Sequence, residues 1–70
     1  TRCHGILFRA AKKAKKPLAQ LELECCWKAA NRSGERLEPG THMMDEVAVN
    51  AVLRDAFIRE VNSLGDRYGV

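Results

Sequence analysis

Residues 42–64 read HMMDEVAVNAVLRDAFIREVNSL, and this stretch decides the fold class. It holds neither glycine nor proline, and Gly65 directly after it can serve as its stop. Thr41 can cap the start, with Asp45 and Glu46 in or near the first turn. At about 1.5 Å per residue, a helix over this stretch would be about 34 Å long. The stretch therefore predicts a long C-terminal helix and an all-α protein.

The apolar residues of this predicted helix fall on more than one of its sides. The larger set comprises Val47, Ala51, Phe57, Ile58, Val61 and Leu64. A second side carries Ala48, Val49, Val52 and Ala56. A helix that is apolar on two sides needs neighbours on both, and two shorter helices cover only part of it. We therefore expect a homo-oligomer or a protein partner, with Val49, Val52 and Ala56 at the interface.

Residues 6–16 form a basic amphipathic pattern that predicts the first helix. The apolar members recur with the helical period, as Ile6, Leu7, Ala10, Ala11 and Ala14. Alanine and lysine are good helix formers, and lysines near the C-terminal end suit the helix dipole. Pro17 disfavours a helical conformation at Lys16, so the helix is expected to end there.

Residues 17–31 fit two structures. As a helix, the segment has an apolar seam of Leu18, Leu21, Cys25 and Ala29, and Gly34 follows as a left-handed cap. As a strand, Leu21, Leu23, Cys25 and Trp27 alternate with Glu22, Glu24 and Cys26. The segment lacks β-branched residues, which favours the helix. The prediction is a single small domain of three helices over residues 1–70, with an α+β fold and a strand at 21–27 as the alternative.

Length and composition bound the class of protein. Seventy residues allow one domain, and 46% hydrophobic with 30% charged residues is an ordinary globular composition. Cys3, Cys25 and Cys26 are a poor disulfide framework, which favours a reducing compartment, so we expect a cytoplasmic or nuclear location. No apolar run reaches the ~20 residues of a membrane span. Thr1 in place of methionine is what a processed product or a piece of a longer protein would have.

The charge distribution is the most informative feature for function. Residues 1–16 carry a formal charge of +6 and no acid, whereas residues 17–70 carry −3. A cluster of cations free of acids attracts polyanions, of which nucleic-acid phosphates are the commonest. The predicted nucleic-acid-binding residues are Arg2, Arg9, Lys12, Lys13, Lys15 and Lys16. Phe8 and His4 could add stacking on a single strand.

The sequence offers no arrangement typical of catalysis or metal binding. The candidate zinc ligands are Cys3, His4, Cys25, Cys26 and His42. Four of them form the adjacent pairs Cys3-His4 and Cys25-Cys26 rather than pairs at the two-to-four-residue spacing of structural zinc sites. Buried, inert cysteines are the simpler interpretation of Cys25 and Cys26. Phosphate-loop and nucleophile-elbow motifs do not occur. We therefore expect a protein that is not an enzyme and needs no cofactor or metal.

Two functions from different classes remain open at this point. In one, a small regulatory or accessory protein contacts phosphates through the basic N-terminal helix. In the other, the apolar surface of the 42–64 helix serves protein–protein interaction or oligomerisation, and the cations of residues 1–16 only aid solubility. A connection of about ten residues between the second and third helices is too long for a helix-turn-helix, which argues against sequence-specific DNA recognition.

Overall fold

The computed structural model describes residues 2–38 and 43–70, apart from the side chain of Arg2. Over these ranges the chain forms four helices and no strand: α1 (Arg2–Ala14), α2 (Leu18–Ser33), α3 (Met43–Val49) and α4 (Ala51–Tyr68). The all-α prediction is confirmed, and the strand alternative at 21–27 is excluded because those residues lie within α2. Thr41 and His42, the predicted cap and first residue of the third helix, lie outside the described residues.

Pro17 separates α1 from α2, as predicted. It has extended backbone angles (φ −60°, ψ 140°), and its carbonyl accepts the first backbone hydrogen bonds of α2, from Gln20 at 3.1 Å and Leu21 at 3.4 Å. Proline has no N–H to lose at a helix start, so it suits this place. The first helix ends at Ala14, two residues before the predicted end at Lys16.

The end of α2 is set by Gly34, which also agrees with the prediction. Gly34 lies in the left-handed region (φ 75°) and donates its N–H to the carbonyl of Ala30 at 3.0 Å. That bond closes the last turn of the helix, and glycine adopts this backbone conformation without a steric penalty.

The long third helix of the prediction is two helices, because Asn50 interrupts it. Asn50 is extended (φ −105°, ψ 107°), and its Oδ1 accepts a hydrogen bond from the Leu53 N–H at 3.1 Å. Its Nδ2 donates to Oε1 of Glu35 at 2.8 Å. Asparagine is a strong N-cap residue, so this side chain starts α4 while it ends α3. Arg54 donates from its guanidinium to the Ala48 carbonyl at 3.2 Å and so satisfies one of the last carbonyls of α3.

The predicted stop at Gly65 is wrong, since α4 continues to Tyr68. Gly65 is buried, and a Cβ added there would lie 2.9 Å from Cγ2 of Ile6 in α1. Gly65 therefore marks the place where α1 and α4 cross closely. The helix ends instead at Gly69 (φ 70°), which donates to Asp66 at 3.3 Å, while Val70 donates to Gly65 at 2.9 Å. This pair of bonds is a Schellman motif.

The helices enclose a single core in which α2 and α4 run antiparallel. The N-terminal part of α2 faces the C-terminal part of α4, where Leu21 and Leu64 line one recess. Nearer the other end of α2, Arg32 forms an ion pair with Glu60 at 3.2 Å. Large side chains with less than 2% of their surface exposed are Leu21, Cys26, Leu53 and Val61. Helix α1 packs on the C-terminal half of α4, and α3 adjoins its N-terminal end.

Candidate nucleic-acid interface

Helix α1 buries its apolar stripe and turns its charges outward. Ile6, Leu7, Ala10 and Ala11 are buried in the core against α2 and α4. Small alanines allow the close approach to α4 that also requires a glycine at position 65. With one face fixed in this way, the 3.6-residue period turns Arg9, Lys12 and Lys13 toward solvent.

The cations predicted for nucleic-acid contact lie on this outward side and just beyond the helix. The side chains of Arg9, Lys12, Lys13, Lys15 and Lys16 are all exposed, and we name this set the basic face. Arg2, the sixth predicted residue, contributes the first backbone position of α1, and its side chain lies outside the described part of the chain. Residues 2–16 contain no acid, so no carboxylate within the segment offsets these charges.

The end of α1 has an unusual backbone that bears on two of these lysines. Lys15 lies in the left-handed region with φ 57°. Its N–H donates to the backbone carbonyl of Lys12 at 3.3 Å, and the N–H of Lys16 donates to the backbone carbonyl of Ala11 at 3.2 Å. This is a Schellman motif with lysine where glycine is the usual residue. A side chain in this conformation costs roughly 1 kcal/mol or more, so Lys15 occupies its place at some expense in stability.

Two lysines of the basic face also make contacts within the protein. The Lys13 Nζ donates to the Tyr68 carbonyl at 3.0 Å, which places a positive charge at the C-terminal end of α4. The Lys12 Nζ lies 4.9 Å from the centroid of the Phe8 ring, within the range of a cation–π interaction. Lys13 thus helps to hold α1 on α4, whereas Lys12 and Phe8 form a joint feature of the exposed surface.

Sequence reasoning missed two cations that lie near Lys16 in a recess of mixed charge. Lys16, Lys28 and Arg67 line one recess between α2 and α4, together with Glu24 and Glu60. The recess has a volume of about 80 Å³, well below the roughly 300 Å³ of a typical small-molecule site. Lys28 and Arg67 are far apart in sequence, so only the antiparallel pairing of α2 and α4 brings them near Lys16. No local signal in the sequence could have identified them.

The three residues of the predicted partner interface do not share one environment. Val49 is 85% exposed and Val52 is 56% exposed, and these two residues flank the break at Asn50. Ala56 is buried, with 6% of its surface exposed, because α4 turns this position toward the core. The exposed apolar surface in this region thus includes Val49 and Val52, which we name the valine pair, whereas Ala56 is not available for an interface.

Cys25 and Cys26 are both buried, and their thiols are unreactive at neutral pH. Burial raises the pKa of each thiol from 9.0 to about 11, and Glu60 adds to the effect at Cys25, as Glu22 does at Cys26. Such thiols are almost fully protonated at neutral pH, and the thiolate is the nucleophile and metal ligand. Cys26 contacts Met44 of α3, with the two sulfur atoms 3.5 Å apart. These cysteines therefore act as core residues that join α2 to its neighbours.

The described residues show no further indication of metal or membrane chemistry. Across 2–38 and 43–70, no three His, Cys, Asp or Glu side chains are grouped as metal ligands, and His42 lies outside these ranges. None of the helices there is both long enough and apolar enough to cross a bilayer. Comparison of the chain with protein-family models, curated proteins and solved structures found no match.

Proposed function

We propose that this chain is a small, non-catalytic regulatory or accessory protein that contacts nucleic-acid phosphates through the basic face. The observation that carries the proposal is the exposure of five cations on and just after α1, in a segment that contains no acid. Each such cation can displace a counterion from a phosphate backbone. The contacts are to phosphate, so binding is weakly specific for sequence and strongly dependent on salt.

The conformation of Lys15 supports the same proposal. A glycine would fit the left-handed position at the end of α1 with less strain, yet a lysine is present there. Backbone strain at an exposed charged residue is typical of functional positions. A lysine at position 15 lowers the stability of the protein but places a second positive charge next to Lys16, and adjacent positive charges favour phosphate binding.

Anisotropy titrations of labelled DNA and RNA oligomers at several salt concentrations test the proposal. The double substitution Lys15→Gln/Lys16→Gln removes two cations of the basic face. The slope of log K against log salt should then decrease by about 1.5, because each phosphate contact contributes roughly 0.7–0.9. The matched control Arg36→Gln/Arg59→Gln removes two exposed cations outside the basic face and should leave the slope unchanged. Equal weakening by both pairs would show that only net charge matters and would refute the assignment.

The valine pair favours a second candidate function, protein–protein interaction or self-association. Two β-branched apolar side chains are exposed one turn apart at the junction of α3 and α4. The test is Val52→Glu, measured by light scattering for self-association and by far-UV circular dichroism for folding. Since Val52 is largely exposed, the variant should keep the fold. A wild-type chain that is monomeric at high concentration would exclude self-association as the function.

A further inference from the structure

Phe8 is an exposed aromatic residue at the N-terminal edge of the basic face. It is 47% exposed, while its neighbour Leu7 is 3% exposed and contributes to the core. The buried stripe of α1 is complete without Phe8, so packing does not explain an aromatic ring at this position. Arg9 follows it directly, and Lys12 lies one helical turn further on.

The Lys12 ammonium and the Phe8 ring form a compact pair of a charge and a flat apolar surface. Their separation is 4.9 Å from the Lys12 Nζ to the ring centroid. The cation lies over one face of the ring, and the half-exposed side chain retains surface that faces solvent. An aromatic surface beside phosphate-binding cations is the combination by which proteins bind single strands: cations follow the backbone, and a base stacks on the ring.

We infer that the ligand of the basic face is single-stranded rather than double-stranded nucleic acid, with one base stacked on Phe8. This inference rests on the proposed function and specifies the class of nucleic acid. Phosphate contacts alone do not separate the two classes, because both carry phosphates. A stacking contact does, since the bases of a duplex are already stacked on one another and paired. The charge of Lys12 then lies beside the phosphate that flanks the stacked base.

The test compares three chains with two ligands at one salt concentration. One ligand is a labelled mixed-sequence single strand of about 12 nucleotides, within the usual site size of such proteins. The other is a labelled hairpin whose duplex stem contains that same strand paired with its complement. The chains are the wild type, Phe8→Ala and Phe8→Tyr. Phe8→Ala should weaken single-strand binding about tenfold and duplex binding less than twofold, since the variant loses the ring on which one base stacks. Phe8→Tyr retains a ring and should bind as the wild type does.

The outcomes separate this inference from the function on which it rests. Equal weakening of both ligands by Phe8→Ala, or no weakening of either, overturns single-strand stacking while phosphate binding stands. Wild-type affinity for the duplex equal to that for the single strand also overturns it. Failure of the wild-type chain to bind either ligand at low salt overturns the proposed function itself. Far-UV circular dichroism of both variants confirms the fold, and Phe8 is exposed enough for both to keep it.

Discussion

Helices α1 and α3 adjoin different ends of α4 and are built in different ways. Helix α1 has 13 residues, a continuous buried stripe and an outward face of cations, and its first turn contains no acid. Helix α3 has seven residues, buries Met43 and Val47, and carries Asp45 and Glu46 in its first turn. An isolated helix of seven residues is unstable in water, so α3 depends on contacts at its ends.

The difference shows how a short chain assigns stability to buried residues and binding to exposed ones. Helix α1 is fixed mainly by core packing along its length, and its outward side is therefore available for charges, of which Lys13 also bonds to α4. Helix α3 buries only Met43 and Val47, and polar contacts of Asn50 and Arg54 add to this packing at its junction with α4. Substitutions should accordingly act through packing on the α1 side and through hydrogen bonds at the junction of α3 and α4.

The largest expected effect comes from breaking the packed side of α1. Leu7→Ala removes a core side chain and should lower the free energy of unfolding by about 2–5 kcal/mol, a large part of the total for a chain of this size. Its neighbour Phe8 provides the matched control, because Phe8→Ala removes a half-exposed ring and should cost less than about 1 kcal/mol. Urea denaturation measures both. Similar costs for the two substitutions would contradict the orientation of α1.

On the α3 side, the corresponding substitution is Asn50→Ala. It removes the N-cap of α4 and the hydrogen bond to Glu35, and it should cost about 1–2 kcal/mol. Asn50→Ser retains a capping oxygen and loses only the contact with Glu35, so its cost should be smaller. Thermal and urea denaturation provide the comparison. An unchanged stability for Asn50→Ala would mean that residues 43–68 form one continuous helix, as the apolar pattern alone suggests.

The contact between α1 and α4 should tolerate no added methyl group. Gly65→Ala places a Cβ 2.9 Å from Cγ2 of Ile6, and overpacking of this kind costs about 1–3 kcal/mol. Alanine regains up to about 1 kcal/mol of helix propensity, so we expect a net loss of roughly 1 kcal/mol. The substitution Ile6→Leu removes the branch at Cβ that clashes. The double variant should therefore be more stable than the sum of the single effects predicts, and strict additivity would argue against the close crossing.

The same contrast explains what could be predicted from the sequence. The period of the apolar residues and Pro17 predicted α1 to within a few residues at each end. Composition and Gly34 favoured the helix α2, although the apolar pattern of residues 21–27 fits a strand equally well. Asn50 was missed because apolar residues continue on both sides of it, and its partner Glu35 lies 15 positions away. Gly65 and Gly69 both resemble helix stops, and only the packing of Ile6 distinguishes them. A long-range contact contributes to each of these two errors, although the cap that Asn50 provides for Leu53 is local.

In the candidate site, too, local features were predictable from the sequence and long-range contacts were not. The cations of the basic face follow from a charge count along residues 1–16. The bond from Lys13 to Tyr68 spans 55 positions, and no sequence pattern indicates it. Lys28 and Arg67 lie near Lys16 only because α2 and α4 pack antiparallel. Predicted helix positions alone do not show how the helices pack. The charges of the site were thus predictable, whereas the identity of the lysine that also bonds within the protein, Lys13, was not.

The smallest expected effect on stability should be a gain at Lys15. Lys15→Gly relieves the left-handed backbone and should raise the free energy of unfolding by about 0.5–1 kcal/mol, less than the full strain because glycine has more freedom when unfolded. The same substitution removes one phosphate contact, so the salt slope of nucleic-acid binding should decrease by about 0.7–0.9. Lys15→Gln retains the strain and loses the charge, and it should reduce the slope equally without the gain in stability.

If Lys15→Gly stabilises the protein and leaves binding intact, the lysine has no role in binding, and the strain at the end of α1 has another cause. If stability rises while binding falls, the position gives up stability for charge, and the packed side of α1 supplies the stability that this exchange requires.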